Sequence, residues 1–424
     1  MKKRILIIGI NNTPELTGIG KYTGEMMNWM LENDYEITAI SAFPYYPYWA
    51  VQPPYTGRFY KKETLSAGGL TIYRCPMYIP AKPSGLKRLI HEATFFVSAF
   101  FVVSRLLLKK RYEATICLAP PFHLGFLALF YRFFKKTPVI YHIQDLQVDA
   151  AKELGILKPD WIFSLLFGME RIILNSVDVV STISEGMLKR VKAKTHQDVV
   201  MFPNWVDTFN YFPIVDRNDL KPSWGFRPED KLVVYSGSIG EKQGLDGLIR
   251  IAEALKSHTE IKFIICGTGP FKVNLEKMAL EKGLLNVHFL PLQSNEVFNN
   301  FLNMADIHLI LQKGDASDLV MPSKLTTVLS VGGFALVTAN PGTTLYEVIT
   351  QHDMGVVVPP DNEEVLKESI VTCCTTDQLE KRRNAREYAE RFLNKNNILK
   401  EVFAKIDDMA LIKESKVGMY KTIR

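Results

Sequence analysis

Short runs of β-branched and apolar residues recur along the chain with helix-forming segments between them, and this alternation restricts the fold more than any other feature. It is typical of a parallel sheet with helices on both faces. The runs fall into two groups, one in each half of the chain, so the sequence predicts an α/β fold of two Rossmann-like domains in tandem. The predicted strands are 4–10, 35–41, 70–74, 114–118, 138–143 and 178–182 in the first half, and 231–236, 261–266, 286–290, 307–311, 335–338 and 355–358 in the second.

A proline-containing stretch separates the two groups of strands. Pro203, Pro213 and Pro222 lie along it, and proline removes backbone donors and biases the preceding residue toward extended structure. The sequence therefore predicts a first domain over 1–207 and a second over 208–385. A helical pattern with mixed charges follows, and we expect the segment 386–424 to pack back toward the first domain.

The charge of the chain is unevenly distributed. The formal net charge is +6, but residues 1–200 hold 25 Lys and Arg against 16 Asp and Glu, whereas the remainder holds 26 against 29. A basic first half suits an anionic lipid surface or a pyrophosphate-bearing acceptor. We expect no nucleic-acid partner, because the sequence has no zinc-ligand spacing, no aromatic RNA-binding signature and no long basic run.

Cysteine usage and the N-terminal sequence both indicate a cytoplasmic protein. The five cysteines are odd in number and two are adjacent, at Cys373 and Cys374, which is unlike a disulfide framework. The apolar run after the first basic residues stops at Gly9 and is followed by polar residues. This pattern indicates a first strand rather than a signal peptide.

The segment 89–108 is apolar, lies between basic residues and is about as long as a membrane span. His91, Glu92 and Arg105 interrupt it, and a second aromatic and basic segment follows at 126–136. Two interpretations stay open: helices that dip into the headgroup layer of a membrane, or helices buried against the sheet. We favour peripheral contact with the inner face of the plasma membrane, since the basic excess lies in the same half.

Glycine turns follow several of the predicted strands. Gly18 and Gly20 stand after the first strand and before a helix, where free amides and the helix dipole favour an anion. A tight turn without a ligand is the alternative. The dinucleotide-binding fingerprint needs a third glycine at the position of Thr23, which argues against a nicotinamide-dependent oxidoreductase.

The second half repeats this pattern with a lysine beside it. Gly237 follows a strand and Lys242 stands shortly before the next helix, while Gly267 and Gly269 follow the neighbouring strand. Ligands of open α/β sheets lie at the carboxyl ends of the strands. A lysine ammonium group with backbone donors suits the charge that develops on a leaving diphosphate.

A further candidate is the start of the helix after residue 321. Pro322 pre-sets the backbone there and Ser323 can cap the helix. Lys324 is unfavourable in a first helical turn unless an anion compensates its charge. We therefore expect Lys324 to meet an anionic ligand.

Several kinds of catalytic motif are missing from the sequence. No Asp-x-Asp triplet, no clustered histidines, no nucleophile elbow and no Walker A loop occur. The sequence thus predicts that a diphosphate is handled by glycine turns and lysines, with no metal and no cofactor.

The glycine turns and the 322–324 segment, in this order, resemble the retaining family-4 glycosyltransferases of GT-B fold. The segments 141–145 (YHIQD), 202–207 (FPNWVD) and 320–325 (VMPSKL) resemble in particular the colanic-acid fucosyltransferase branch of that family. This resemblance implies two Rossmann-like domains with an interdomain cleft, the first for the acceptor and the second for a nucleotide-sugar donor. It also implies transfer of fucose or another hexose, with a GDP-linked donor, to a lipid-linked or oligosaccharide acceptor in surface polysaccharide synthesis.

The resemblance assigns roles to single residues. His142 and Asp145 are implied to be catalytic, although a structural histidine and a helix-capping aspartate are the alternatives. The residues implied to bind the donor are Gly18, Gly20, Gly237, Lys242, Gly267, Gly269, Leu290, Leu292, Gln293, Pro322, Ser323, Lys324 and Thr327.

This chain departs from the wider family pattern at two places. The phosphate-binding arginine is absent from the stretch that holds Ser238 and Ile239, and Leu319 and Thr327 stand where a pair of glutamates is expected. Groups such as Ser323 and Lys324 would then contact the ribose and the sugar. A nucleotide-sugar epimerase of the same fold is the alternative function.

Overall fold

The computed structural model of the chain describes residues 2–15, 18–82, 84–153, 160–312 and 322–406, without the side chains of Glu153, Lys242 and Asn295. These residues form two compact units. Unit 1 extends to Pro203 and resumes at Leu399, and unit 2 comprises Asn204–Ile398. The predicted α/β class with two parallel-sheet domains is confirmed. The sequence places the domain boundary at 207/208 and the return to the first domain at 386, whereas the observed units divide at 203/204 and the chain returns at 399.

Unit 1 is built on an eight-stranded sheet in the order β3-β4-β2-β1-β5-β6-β7-β8, in which β3 is antiparallel to β4 and the other pairs are parallel. The strands are β1 (Lys3–Ile8), β2 (Tyr35–Ala42), β3 (Lys61–Leu65), β4 (Leu70–Cys75), β5 (Ala114–Ala119), β6 (Val139–Ile143), β7 (Val179–Thr182) and β8 (Val199–Met201). The central strands are apolar because helices cover both faces of the sheet.

The α-helices that accompany this sheet in the described ranges are joined by a further helical stretch where the chain returns to unit 1. The helices are α1 (Gly18–Glu32), α2 (Gly85–Leu106), α3 (Gly125–Lys135), α4 (Gln147–Glu153), α5 (Asp160–Ser176) and α6 (Glu185–Lys192). Residues 395–406 are helical. Phe403 from this stretch packs against Trp29 at a ring distance of 5.5 Å and against Tyr35 at 5.7 Å.

Unit 2 has a six-stranded parallel sheet in the order β11-β10-β9-β12-β13-β14. Its strands are β9 (Lys231–Ser236), β10 (Ile261–Cys266), β11 (Val287–Leu290), β12 (Ile307–Ile310), β13 (Ala335–Thr338) and β14 (Gly355–Val358). Its helices are α7 (Leu245–Ala254), α8 (Lys272–Glu281), α9 (Asn295–Asn303), α10 (Ser323–Ser330), α11 (Thr344–Gln351), α12 (Glu363–Thr375) and α13 (Leu379–Tyr388). Strand order reverses between β9 and β12, and such a reversal marks the ligand edge of an open sheet.

Hydrogen bonds explain why the unit boundary falls before residue 207. The Arg386 guanidinium group donates to the carbonyl oxygens of Thr208, Tyr211 and Ser330. The amide of Val206 donates to the Leu393 carbonyl at 2.8 Å. These bonds attach the segment after Pro203 to unit 2, and they keep residues 386–398 there as well.

Helix α2 contains most of the membrane-like segment identified in the sequence. Among the described residues it is long and apolar enough to cross a membrane by length and composition, with a mean hydropathy of 1.4 and 39% of that window buried. One face, which includes His91, Phe95 and Val103, is buried, whereas Val97 and Phe101 are exposed. The helix thus packs on the sheet with one side only.

Candidate functional site

The first glycine turn of unit 1 lies over a buried carboxylate. A Cβ atom on Gly20 would lie 2.5 Å from Glu15 Oε2, so close packing explains this glycine without a ligand. Glu15 Oε1 accepts hydrogen bonds from the amides of Tyr45 and Tyr46, each at 3.0 Å. Burial raises the pKa of Glu15. Gly18 has a φ of +60° and is the first residue of α1, and a donor phosphate near it stays a prediction.

Other polar side chains near the carboxyl ends of the unit 1 strands were not predicted to be site residues. His91 of α2 contacts the Tyr78 carbonyl through Nδ1 at 2.6 Å and the Tyr45 hydroxyl through Nε2 at 3.1 Å. Glu92 Oε1 accepts a hydrogen bond from Gln147 Nε2 at 2.6 Å, and burial raises the pKa of Glu92 to about 7. The only sequence signal for these residues was the interruption of an apolar segment.

The two residues predicted to be catalytic lie at or after the end of β6 in different environments. His142 is 2% exposed, its Nδ1 lies 3.0 Å from Ser181 Oγ, and its ring packs on Phe202. Burial lowers the pKa of His142 to about 3. Asp145 follows the strand and is half-buried. The structure gives His142 internal partners, and its catalytic role stays a prediction.

The buried position of His142 predicts a mainly structural effect of substitution. We expect His142→Gln to lower the free energy of unfolding by about 1–3 kcal/mol, because the Ser181 hydroxyl loses a buried partner and the ring no longer fills its site. Urea denaturation measures this change. Ser181→Ala is the matched control, with a smaller loss. An unchanged unfolding free energy with a kcat reduced more than about 100-fold would instead identify His142 as a reacting group.

The two glycine turns of unit 2 pack directly on each other. A Cβ atom on Gly267 would lie 1.9 Å from the Gly237 carbonyl oxygen, and one on Gly269 would lie 2.1 Å from the Ile239 carbonyl oxygen. The Ile239 amide donates to the Thr268 carbonyl at 3.0 Å. Backbone contact between the turns, which was not predicted, therefore requires glycine at 267 and 269.

Some main-chain donors of these turns are unused. The amides of Gly237 and Gly267 bond to the carbonyls of Cys266 and Leu290. Within the part of the chain that the structure describes, the amides of Ser238, Thr268 and Gly269 donate to no other group. Successive free amides in a turn, as at Thr268 and Gly269, can form an anion-binding concavity, and the first turn adds the single amide of Ser238.

Lys324 lies beside the first of these turns. A Cβ atom on Gly237 would be 3.7 Å from Lys324 Cδ, and Lys324 Nζ lies 3.8 Å from the centroid of the Tyr235 ring. Lys324 is half-buried near the start of α10, and burial lowers its pKa to about 7. Among the described residues it forms no ion pair with a carboxylate. Its position is that of a cation available for an anionic ligand.

Four other predicted donor residues of unit 2 are Pro322, Ser323 and Thr327 of the α10 region and Lys242. Pro322 occupies the N-cap position of α10 and Ser323 is the first helical residue, and the structure shows no side-chain capping bond at this helix start among the described residues. The Thr327 hydroxyl bonds to the Lys324 carbonyl at 3.1 Å. The side chain of Lys242 lies outside the described part of the structure.

The stretch after β11 remains accessible at the same edge of the sheet. Leu290 ends the strand, Leu292 is 37% exposed, and Gln293 Nε2 donates to the Pro291 carbonyl at 2.8 Å. Lys272 Nζ lies 3.4 Å from the Leu290 carbonyl oxygen. An open polar and apolar strip of this kind is compatible with the predicted contact to a nucleoside base. In the described ranges, no three His, Cys, Asp or Glu side chains are grouped as a metal site would require.

Comparison with known sequences decides the family. Residues 17–205 match the glycosyl transferase 4-like domain, and residues 216–392 match the glycosyl transferases group 1. Over 412 residues, 94% of this chain and 98% of the relative, the chain is 40% identical to an Escherichia coli K12 protein with the provisional name colanic acid biosynthesis glycosyl transferase WcaI. The chain belongs to the family-4 glycosyltransferases. The transferase thus uses a nucleotide-sugar donor and a saccharide acceptor, and these relatives give no support to the epimerase alternative.

Solved structures with the same fold have low sequence identity to the transferase. Sucrose-phosphate synthase from Thermosynechococcus elongatus has a TM-score of 0.73 at 12% identity, and the match covers 96% of this chain and 99% of that one. The Anabaena protein HepE, solved in complex with UDP and glucose, has a TM-score of 0.67 at 13% identity, covering 96% and 100%. The transferase therefore has the predicted GT-B fold.

Proposed function

We propose that the transferase moves a hexose or deoxyhexose, such as fucose, from a GDP-linked donor to a lipid-linked or growing saccharide in surface polysaccharide synthesis. The proposal includes retention of anomeric configuration, a cytoplasmic reaction, and no metal or cofactor. The observation that supports it most is the edge of the unit 2 sheet, where Lys324 lies beside the turn at Gly237 and where, among the described residues, the amides of Ser238, Thr268 and Gly269 donate to no other group.

This edge has the chemistry that a diphosphate group requires. Amides and an ammonium group form charge-assisted hydrogen bonds with phosphate oxygens, and they stabilise the charge that grows on the leaving group. Lys242 stands in sequence between the first turn and α7, and in this proposal it adds a second ammonium group. Positive side chains would then take the place of a metal ion.

The proposed reaction is a displacement on one face of the sugar. The bond between the anomeric carbon and the diphosphate oxygen breaks, and the acceptor oxygen bonds to the same face of that carbon. The acceptor proton passes to the leaving diphosphate. The chain contributes positioning and charge stabilisation, and we propose that His142 and Asp145 of unit 1 lie near the transferred sugar and the acceptor.

A donor screen on the purified full chain tests this function. Candidate GDP- and UDP-sugars are compared for thermal stabilisation, since a ligand that binds only the native state raises the melting temperature. Release of the nucleoside diphosphate is then followed with and without a lipid-linked saccharide, and with and without EDTA. We expect stabilisation by a GDP-sugar, acceptor-dependent release and no effect of EDTA. Stabilisation by UDP-sugars alone would overturn the choice of base, and loss of release in EDTA would overturn the metal-free reaction.

The exposed side chains of α2 and α3 support the proposed contact with an anionic membrane. They form an aromatic ridge: the ring centroids of Phe100 on α2 and Phe130 on α3 lie 5.0 Å apart, and those of Phe130 and Phe134, both on α3, lie 5.2 Å apart. The ridge consists of Phe100, Phe101, Phe130, Phe133 and Phe134. Phe101 and Phe133 are 63% and 69% exposed. Basic residues at 109–111 and 135–136 border the ridge in sequence, and aromatic side chains beside cations suit the lipid headgroup region.

We expect the aromatic ridge to be required for binding to lipid vesicles. We expect the triple substitution Phe101→Gln, Phe133→Gln and Phe134→Gln to reduce binding to vesicles containing phosphatidylglycerol at least about tenfold, because each exposed ring loses its apolar contact with the acyl chains. Vesicle co-sedimentation measures the change. Leu280→Gln with Leu285→Gln in unit 2, at positions 81% and 87% exposed, is the control and should bind as the unchanged chain does. Equal vesicle binding by the triple variant would disprove this contact.

A further inference from the structure

Tyr235, the penultimate residue of β9, contacts two parts of the donor edge at once. It is 1% exposed, and its ring face lies 3.8 Å from Lys324 Nζ. Its hydroxyl donates a hydrogen bond of 2.7 Å to the Ser238 carbonyl oxygen. A single side chain therefore joins the cation of α10 to the first glycine turn.

The ring contact fixes the position of the lysine without neutralising it. A carboxylate partner would hold Lys324 equally well, but it would cancel the charge that an incoming phosphate needs. An aromatic face attracts an ammonium group through its quadrupole and carries no net charge. The burial that lowers the pKa of Lys324 also makes an anionic ligand more favourable, since the ligand replaces lost solvation.

The hydroxyl contact fixes the turn. The Ser238 carbonyl accepts this bond, and the amide of the same residue donates to no group in the described part of the chain. Gly237 has a φ of +150°, and a Cβ atom there would lie at the ordinary contact distance of 3.7 Å from both the Tyr235 hydroxyl oxygen and Lys324 Cδ. The tyrosine thus contacts both the Lys324 ammonium group and the turn that carries the Ser238 amide.

We propose that Tyr235 is a positioning residue of the donor site, whose ring seats the Lys324 ammonium group and whose hydroxyl holds the turn at 237–240. The inference rests on the proposed binding of a nucleoside diphosphate sugar at this edge. Tyr235 itself does not touch the reacting atoms. It acts on the donor through Lys324 and through the turn.

Calorimetric titration with GDP and UDP tests this role in the full chain. We expect Tyr235→Phe, which keeps the ring and loses the hydroxyl, to weaken binding of the nucleoside diphosphate about threefold. Tyr235→Leu removes the aromatic face as well, and we expect about tenfold weaker binding. The decisive comparison is made in a chain that already carries Lys324→Met. There, adding Tyr235→Leu should weaken binding of the nucleoside diphosphate only about threefold, because only the effect on the turn is left.

The outcomes separate this inference from the proposed function. If the unchanged chain binds neither nucleotide, the proposed function fails first. If it binds and Tyr235→Leu binds equally well, or if the tenfold loss persists in full without Lys324, the role of Tyr235 is overturned. Tyr141→Phe controls for loss of a buried hydroxyl, since Tyr141 is also 1% exposed and donates to the Phe122 carbonyl at 2.7 Å. Should Tyr235→Leu not fold, unchanged nucleotide affinity in Tyr235→Phe overturns the proposal.

Discussion

Replacing Lys324 with methionine should remove nearly all transfer activity and make the folded chain more stable. The half-buried ammonium group has no carboxylate partner among the described residues, so burial disfavours its charge in the free protein. Methionine keeps the length of the side chain without that cost. We expect kcat to fall about 100- to 1000-fold, the range for loss of one electrostatic contact to a developing charge. The melting temperature should rise by about 2–4 °C, because methionine removes the cost of burying the charge but also loses the contact of the ammonium group with the Tyr235 ring.

The stability of the Lys324→Met variant and the nucleotide affinity of the unchanged chain should both depend on pH, in a direction that can be checked. The pKa of Lys324 is about 7 in the folded chain, below its value of about 10.4 in an unfolded chain. The stabilising effect of methionine should therefore be full below pH about 7 and vanish as pH rises toward about 10. Affinity for the nucleoside diphosphate should fall as pH rises above about 7, because binding requires the protonated lysine.

A second lysine of unit 2 is the control for Lys324. Lys367 pairs with Glu364 at 2.6 Å on α12, and Lys367→Met should change neither kcat nor the pH dependence of nucleotide binding. Thermal denaturation and titrations at several pH values supply the data. A lower melting temperature for Lys324→Met, together with full nucleotide affinity, would contradict the assignment of Lys324 to the donor site.

Gly269→Ala should abolish donor binding by separating the two glycine turns of unit 2. The added Cβ atom would lie 2.1 Å from the Ile239 carbonyl oxygen and 2.8 Å from the Ile239 nitrogen. The neighbouring backbone cannot yield cheaply, since the Ile239 amide bonds to Thr268 and its carbonyl accepts from the Phe271 amide. We expect a loss of about 3–5 kcal/mol in unfolding free energy and no measurable binding of a nucleoside diphosphate to the folded fraction.

A glycine in open space provides the comparison for Gly269. Gly168 lies inside α5, and apart from the backbone of its own helix no heavy atom of the described residues would come within 4 Å of a Cβ atom there. Gly168→Ala should stabilise the chain by about 0.5–1 kcal/mol through helix propensity. Urea denaturation of both variants tests the pair. Normal stability and normal nucleotide affinity in Gly269→Ala would show that the contact between the turns is dispensable.

Buried parallel strands were the part of the fold that the sequence predicted best. The predicted strands 231–236 and 261–266 match β9 and β10 at both ends, because apolar runs flanked by turn residues are a strong signal when helices cover both faces. Strand β3 was missed. Its sequence, KKETL, lies at a sheet edge and is largely exposed, so no apolar pattern distinguishes it from a loop. The three-residue strand β8 was missed because it is too short for a pattern.

The site was predicted less completely than the fold. The glycines at 267 and 269 were singled out because a turn after a strand is visible in sequence, and their donor-binding role stays a prediction. Their packing against Gly237 and Ile239 was not predicted, since it depends on the pairing of β9 with β10. The same limit hid Tyr235, which reads as an ordinary strand residue. Glu15 carries no local signal either, since its partners at Tyr45 and Tyr46 are distant in sequence.

The return of the chain to unit 1 has a consequence for biosynthesis. Phe403 packs against Trp29 and Tyr35, which come from the first helix and the second strand. During translation these two rings emerge from the ribosome long before their partner does. Unit 1 therefore closes its apolar interior only after all of unit 2 has been synthesised, and a nascent chain that stalls within unit 2 leaves both rings uncovered for chaperones to bind.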